Sequence, residues 1–282
     1  MSKAAKVWLI TAGVLTVLGG GVFTGALAAN RWDLNTVDFK TQTYEVSADF
    51  KKIKIDVKAS DIVFAKSNDK KCRVEFYESE NIKHAAKVED GSLNITEEDK
   101  RKWYDYFVPF MFKKAKTTIY LPSNEYASLT VDAKTGNTDI PEGFTFNEID
   151  IDKTTGKTYI NGVKADRLCI DTTTGDISLD SVKVKGDIDI SVTTGDVSFK
   201  DVTAGGDLSV KGVTGDVLFE NSDAKNVTVK TTTGDVEGNL LTDKAFTTDT
   251  TTGKVRVPDP STGGRCEIST TTGDITIEIG KK

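Results

Sequence analysis

Eight regularly spaced Thr-Gly pairs punctuate the chain from Thr135 onward, with glycines at 136, 156, 175, 195, 215, 234, 253 and 273, and in five of them aspartate follows: Asp176, Asp196, Asp216, Asp235 and Asp274. A recurrent carboxylate beside a recurrent hydroxyl suggests three chemistries: a cation site, a hydroxyl ladder against ice or a crystalline polysaccharide, or a polar lining that serves the bend alone. Calcium takes six to eight oxygen ligands, whereas each repeat offers one carboxylate. The Gly-Gly-x-Gly-x-Asp spacing of calcium-binding β-rolls is missing, and Asn137, Lys157 and Lys254 interrupt the row. No metal is expected. A binding ladder requires the threonines to face solvent. Carried through the bend, alternation gives Thr135, Thr155, Thr174, Thr194, Thr214, Thr233, Thr252 and Thr272 the parity of the apolar positions before them. Their hydroxyls are therefore expected to point into the corner and bond to backbone or to one another.

The remaining chemistry-bearing residues are sparse. His84 is the single histidine, which leaves little material for imidazole metal sites or triads. Cys72, Cys169 and Cys266 are odd in number and widely spread, so no disulfide framework is implied. Asp132, Asp150, Asp152 and Asp171 could pair on an outer face as polysaccharide-cleaving carboxylates do, but outward acids on a repeat structure ordinarily form a solvated face. Nucleophile elbow, phosphate loop and metal spacing are all missing. No catalytic residue and no cofactor are expected, and a net charge of -6 disfavours nucleic acid as partner.

The glycines recur every 19 or 20 residues, the mark of a repeat architecture in which each unit stacks on the last. Seven residues before each glycine stand Leu129, Ile149, Leu168, Ile188, Leu208, Val227, Phe246 and Cys266, and five before it Val131, Ile151, Ile170, Ile190, Val210, Val229, Thr248 and Ile268. These are alternate positions of one strand with polar residues between them. After the glycine, alternation resumes in shifted phase, as in Ile177 with Leu179 and Val197 with Phe199. A second corner follows near Gly162, Gly186, Gly206 or Gly264, with Val163, Val182 or Val202 tucked before it. Two short strands and two bends make one coil. The predicted fold is all-β, a single-stranded β-helix or β-solenoid, right-handed by the crossover preference. On this register Cys169 and Cys266 lie five coils apart, roughly 24 Å at the inter-strand spacing. The C-terminal coil at Ile275, Ile277 and Ile279 would be an open end, with Lys281 and Lys282 protecting its edge.

The solenoid occupies 126–282, and 42–125 reads as a divergent capping extension in which Ala59-Ser60-Asp61 stands where later coils have Thr-Gly-Asp. Upstream, 7–29 lacks charge and is long enough to cross a hydrocarbon core of roughly 30 Å as a helix. Lys3 and Lys6, in a short N-terminus of 1–6, would stay cytoplasmic and place the rest outside. Ala26-Leu27-Ala28 leaves open a cleaved signal peptide, which exports the domain equally. Residues 30–41 form a short linker. Within 100–116, Trp103, Tyr104, Tyr106, Phe107, Phe110, Met111 and Phe112 are bracketed by Lys100, Arg101, Lys102, Lys113 and Lys114. This segment either covers the end of the solenoid or contacts a membrane or partner.

The anchor, the Ile-x-Ile start at Ile53, Tyr120-Leu121-Pro122 and the repeated Thr-Gly-Asp corners together resemble the bacterial β-strand-repeat family labelled "putative adhesins". The resemblance covers about residue 45 to the end. It implies a single-pass cell-membrane protein with an extracytoplasmic domain, encoded beside cell-envelope stress regulators. Two functions follow as expectations: a non-catalytic adhesion or cell-wall glycan-binding module, or a scaffold or regulator of an envelope-stress sensing system acting through membrane-protein partners. The sequence leaves the oligomeric state open.

Overall fold

The computed structural model describes residues 39–79, 82–100, 115–259 and 262–280. The apolar segment 7–29 and the aromatic residues 103–112 lie outside them. No helix among the described residues is long and apolar enough to cross a membrane.

Every described element is a strand. The first are β1 (Phe39–Val46), β2 (Lys52–Lys66), β3 (Cys72–Ser79), β4 (Ile82–Glu89), β5 (Ser92–Asp99), β6 (Ala115–Leu121), β7 (Glu125–Thr135) and β8 (Thr138–Ile140). From β7 onward each coil lays down a longer strand before the Thr-Gly corner and a shorter one after it. The long strands pair in parallel and in phase, Leu129 against Ile149, Ile149 against Leu168, Leu168 against Ile188 and Ile188 against Leu208. The short strands form a second parallel ladder, with Thr138, Thr158, Ile177, Val197 and Val217 aligned. The chain is a β-solenoid. Its core is the stacked apolar positions of both ladders, including Val163, Val182 and Val202 at the second corner, all essentially inaccessible. Phe199 and Phe219 stack at 5.0 Å. Each such side chain contributes about 1.5–3 kcal/mol of burial.

The marker glycines are dictated twice over. Their φ values, between 130° and 159°, favour residues without a Cβ. A Cβ on Gly195 would also stand 2.2 Å from the carbonyl oxygen of Gly175, and one on Gly215 2.0 Å from that of Gly195. At each corner one coil's backbone rests directly on the next.

Stacking order departs from chain order at both ends. Val227 pairs with Cys266 and Cys266 with Phe246, so the C-terminal strands Gly264–Thr272 and Ile275–Ile279 are inserted between the two preceding coils. The glycine column runs Gly234, Gly273, Gly253 accordingly. This corrects two expectations. Ile275 and Ile277 are buried, and the terminal coil is Lys244–Arg256, where Phe246 is half-buried and Val255 exposed. Cys169 and Cys266 are four stacking steps apart, about 19 Å, rather than five. The reason is that all corners are chemically alike, so the repeat leaves the order of two neighbouring coils undetermined.

At the other end β2 is itself a coil, bent at Ala59-Ser60, with Ala59 against Thr135. β5 and β6 form a further layer parallel to its two halves. Beyond that layer the direction reverses: β4 is antiparallel to β5, β3 antiparallel to β6, and β1 pairs with β3. Antiparallel strands thus close this end and cover its free hydrogen-bonding edge.

Candidate functional site

The Thr-Gly-Asp corner places its residues differently from the parity expectation. Inward positions run seven, five and three residues before the glycine, ending at Ala133, Lys153, Thr172 and Val192, all buried. The next two residues both face out. All eight marker threonines are exposed, and so are the residues preceding them: Lys134, Thr154, Thr173, Thr193, Val213, Thr232, Thr251 and Thr271. Alternation holds only while the backbone stays extended; at the bend two successive side chains splay on its convex side. None of the eight hydroxyls has a protein hydrogen-bond partner among the described residues. Those that do bond the corner backbone belong to the inward row: Thr250 donates to the Gly273 carbonyl at 3.0 Å and Thr270 to that of Gly234 at 3.2 Å.

The aspartates after the glycines have a structural task. Each offers Oδ1 to the backbone N–H of the residue above: Asp196 N–H to Asp176 (3.2 Å), Asp216 to Asp196 (2.9 Å), Asp235 to Asp216 (2.8 Å), Asp274 to Asp235 (2.7 Å) and Lys254 to Asp274 (2.8 Å). Asp61 and Asn137 do the same lower down. Lys254, on the terminal coil, has no N–H above it to accept from. Lys157 instead reaches Asp176 with its ammonium at 2.8 Å, and this hydrogen bond leads the causes that hold the Asp176 carboxyl below the usual range.

Other candidate chemistry is placed as follows. Asp132, Asp152 and Asp171 stack in one outward column, and Asp150 stands in the next column beside the half-buried Cys169. All four aspartates are exposed on an open face, without the enclosure that separates a general acid from a nucleophile. His84 is buried at the capped end, stacked on Phe76 at 4.9 Å. Its Nδ1 lies 3.0 Å from Glu78 and its Nε2 3.7 Å from Glu97, both also buried. Glu97 in turn accepts the Lys58 and Ala59 N–H groups at 2.8 and 2.9 Å, bracing the β2 corner. Burial acts to raise the Glu97 pKa, but the His84 imidazole close by and the N–H bonds from Ala59 and Lys58 outweigh it and hold the carboxyl below its ordinary value. The trio is a clamp with no open face. A cleft of about 860 Å³ at the opposite corner of the capped end is lined by Val46, Phe50, Lys71, Cys72, Pro122 and Tyr126. Burial pushes the Cys72 thiol up to about 11 and the Tyr126 phenol up to about 12, so neither supplies an anionic nucleophile near neutrality. Sequence reasoning missed the Glu78–His84–Glu97 clamp; the alternation of β3, β4 and β5, which turns one of the three inward on each strand, was its only trace.

Trp103, Tyr104, Tyr106, Phe107, Phe110 and Phe112 fall outside the described residues, but the strands they connect do not. β5 lies beside the first half of β2 and β6 beside the second, so the end of β5 and the start of β6 both lie at the corner of that layer. β1 begins at the same corner. Its end, Glu45 and Val46, lies beside Lys70–Cys72, and Tyr44 packs on Phe76 at 5.4 Å, so β1 runs opposite to β3. β3 finishes where β6 starts, with Tyr77 against Lys116.

A stacked β-coil unit with an antiparallel cap and an exposed hydroxyl column at its Thr-Gly corner defines an all-β solenoid. The chain belongs to the family described as Toastrack DUF4097, whose model matches residues 50–208 and 185–282. Among solved structures, it is similar to a "putative adhesin" from Bacteroides fragilis, at 17% identity and TM-score 0.53 over 86% of this chain and 97% of that one. A second "putative adhesin", from Parabacteroides distasonis, is 16% identical with TM-score 0.47 over 86% of this chain and 98% of that one. No curated protein matches.

Proposed function

We propose that the chain is a non-catalytic binding module of the bacterial cell envelope. In this reading one membrane span over 7–29 holds it at the cell membrane, the solenoid is extracytoplasmic, and the exposed threonine columns bind a repetitive polymer of the cell-wall glycan class. The observation that carries it is the corner itself. Unpartnered hydroxyls repeat at the inter-strand spacing of about 4.8 Å along a backbone stack that fixes their positions. Such a row presents hydrogen-bond donors and acceptors already ordered, so binding a periodic polymer forfeits little side-chain entropy. The adhesin descriptions of the structural neighbours agree with a binding role. The aromatic segment with Trp103, Phe107 and Phe110 belongs to the other end of this scheme, because it departs from the corner at which β1 begins and would lie near the bilayer.

Co-sedimentation of the full chain with purified cell-wall glycan tests the reading. Thr174→Lys with Thr214→Lys, both at exposed positions, is expected to lower the bound fraction about tenfold while leaving the melting temperature within about 2 °C, as surface changes do. Undiminished binding would remove the threonine face from the proposal. Crosslinking of the same face to a membrane protein instead would favour the scaffold role.

A further inference from the structure

We propose that the Thr-Gly corner of the capped end is a docking surface for anionic lipid headgroups, formed by Lys40, Lys58, Lys116 and Lys134. The proposal rests on the membrane tether proposed above. All four side chains are exposed, and none has an ion-pair partner among the described residues. They come from four different strands. Lys40 starts β1, Lys116 starts β6, Lys58 ends the first half of β2 and Lys134 ends β7, and each of these termini lies at the same corner.

Several of the acids nearby are already engaged, whereas Asp56 and Asp132, two residues back on the strands of Lys58 and Lys134, are exposed. Glu98 lies 3.4 Å from Lys100, Glu78 lies 3.5 Å from Lys83 and faces His84, Glu97 is tied to the β2 corner, and Asp61 accepts the Asn137 N–H. The register also sets Lys58 directly beside Lys134, between the pairs Val57 with Ala133 and Ala59 with Thr135. Like charges opposite one another on neighbouring strands are unfavourable, and no acid among the described residues forms an ion pair with either lysine. An anionic surface would relieve the pair.

Farther along the same corner the charge reverses, through Asp196, Asp216, Asp235 and Asp274. A negatively charged leaflet therefore attracts the capped end and repels the far end, which would stand the solenoid off the membrane. Phosphate-bearing headgroups suit lysine, whose ammonium acts as a point charge without demanding a planar partner.

The test is amine acetylation, read by mass spectrometry, of the full chain in lipid nanodiscs of phosphatidylcholine alone or with phosphatidylglycerol added. Modification of Lys58, Lys116 and Lys134 is expected to slow about fivefold in the anionic discs, the effect of a surface potential on one lysine. Lys211 and Lys225 should be unaffected, and about 0.5 M salt should abolish the difference by screening. Equal rates in both compositions would overturn the proposal, as would equal protection in both, which would mean a contact indifferent to lipid charge. Failure of the chain to enter discs at all would identify the tether as the false premise and take the proposal with it.

Discussion

Replacing Gly195 with alanine is expected to destabilise the solenoid by about 3 kcal/mol or more, near the upper end for single substitutions. Two costs add. At φ 145° the backbone is in a region that residues with a Cβ rarely adopt, a strain of about 1–3 kcal/mol. The new methyl would also meet the Gly175 carbonyl oxygen at 2.2 Å, about an ångström inside contact, and that atom is backbone held by the coil below. Relief requires separating two coils, which would stretch the Asp196 N–H bond to Asp176 and the Gly175 N–H bond to Thr194. Because each repeat touches only its neighbours, the loss should divide the stack into two weaker blocks. Urea unfolding of the full chain should change from one transition to two. Gly91→Ala is the control: that glycine has φ 69°, but a methyl added there would meet no atom within 4 Å, so only strain remains. Equal effects at the two sites would refute the close-approach account.

Replacing Lys153 with methionine is expected to do the opposite near neutrality. Lys153 occupies an inward position, 2% exposed, and burial pulls its pKa down to about 8. Its ammonium donates to the Lys157 carbonyl at 2.8 Å and lies 3.4 Å from the Thr158 hydroxyl. A folded pKa below the unfolded one means that the unfolded chain binds more protons between the two values. Stability therefore rises with pH from about 8 to 10.5, by about 3 kcal/mol in all. Methionine keeps the length without the charge and loses the two hydrogen bonds, worth about 1–2 kcal/mol together. At pH 7 the variant should be more stable by about 1–2 kcal/mol, and above pH 10.5 less stable by a similar amount. Thermal melts of both proteins from about pH 7 to 11 would display the crossing. Parallel curves would show that Lys153 reaches water.

These residues also mark how far the sequence could be read. Period-two alternation between Leu129 and Val131, or Ile177 and Leu179, specifies strands, and the spacing of glycine specifies the coil. Parity, however, survives only along extended backbone. Carried across the bend it assigned Thr194 to the interior, whereas Val192 is the last inward residue and the bend turns both Thr193 and Thr194 out. Lys153 reads as a surface residue by type, and only its position three before Gly156 betrays it. The exchanged order of the last two coils was not legible: Lys254 suits a corner with no coil above it, but Lys157 holds the same position inside the stack. The clamp at the capped end stayed hidden because Glu78, His84 and Glu97 are brought together by antiparallel pairing that no repeat announces. The aromatic segment was legible as a patch, and only the pairing of β5 and β6 with β2 shows that the strands flanking it meet at the corner of one layer.

The outward threonine column underlies the whole account, and cysteine accessibility tests it most directly. In a Cys169→Ser background, where Cys72 and Cys266 are buried, Thr194→Cys and Val192→Cys would each be treated with a thiol-reactive probe under native conditions. The account predicts rapid labelling at 194 and protection at 192 until the protein unfolds. Protection at 194 with labelling at 192 would restore the inward threonines and remove the binding face.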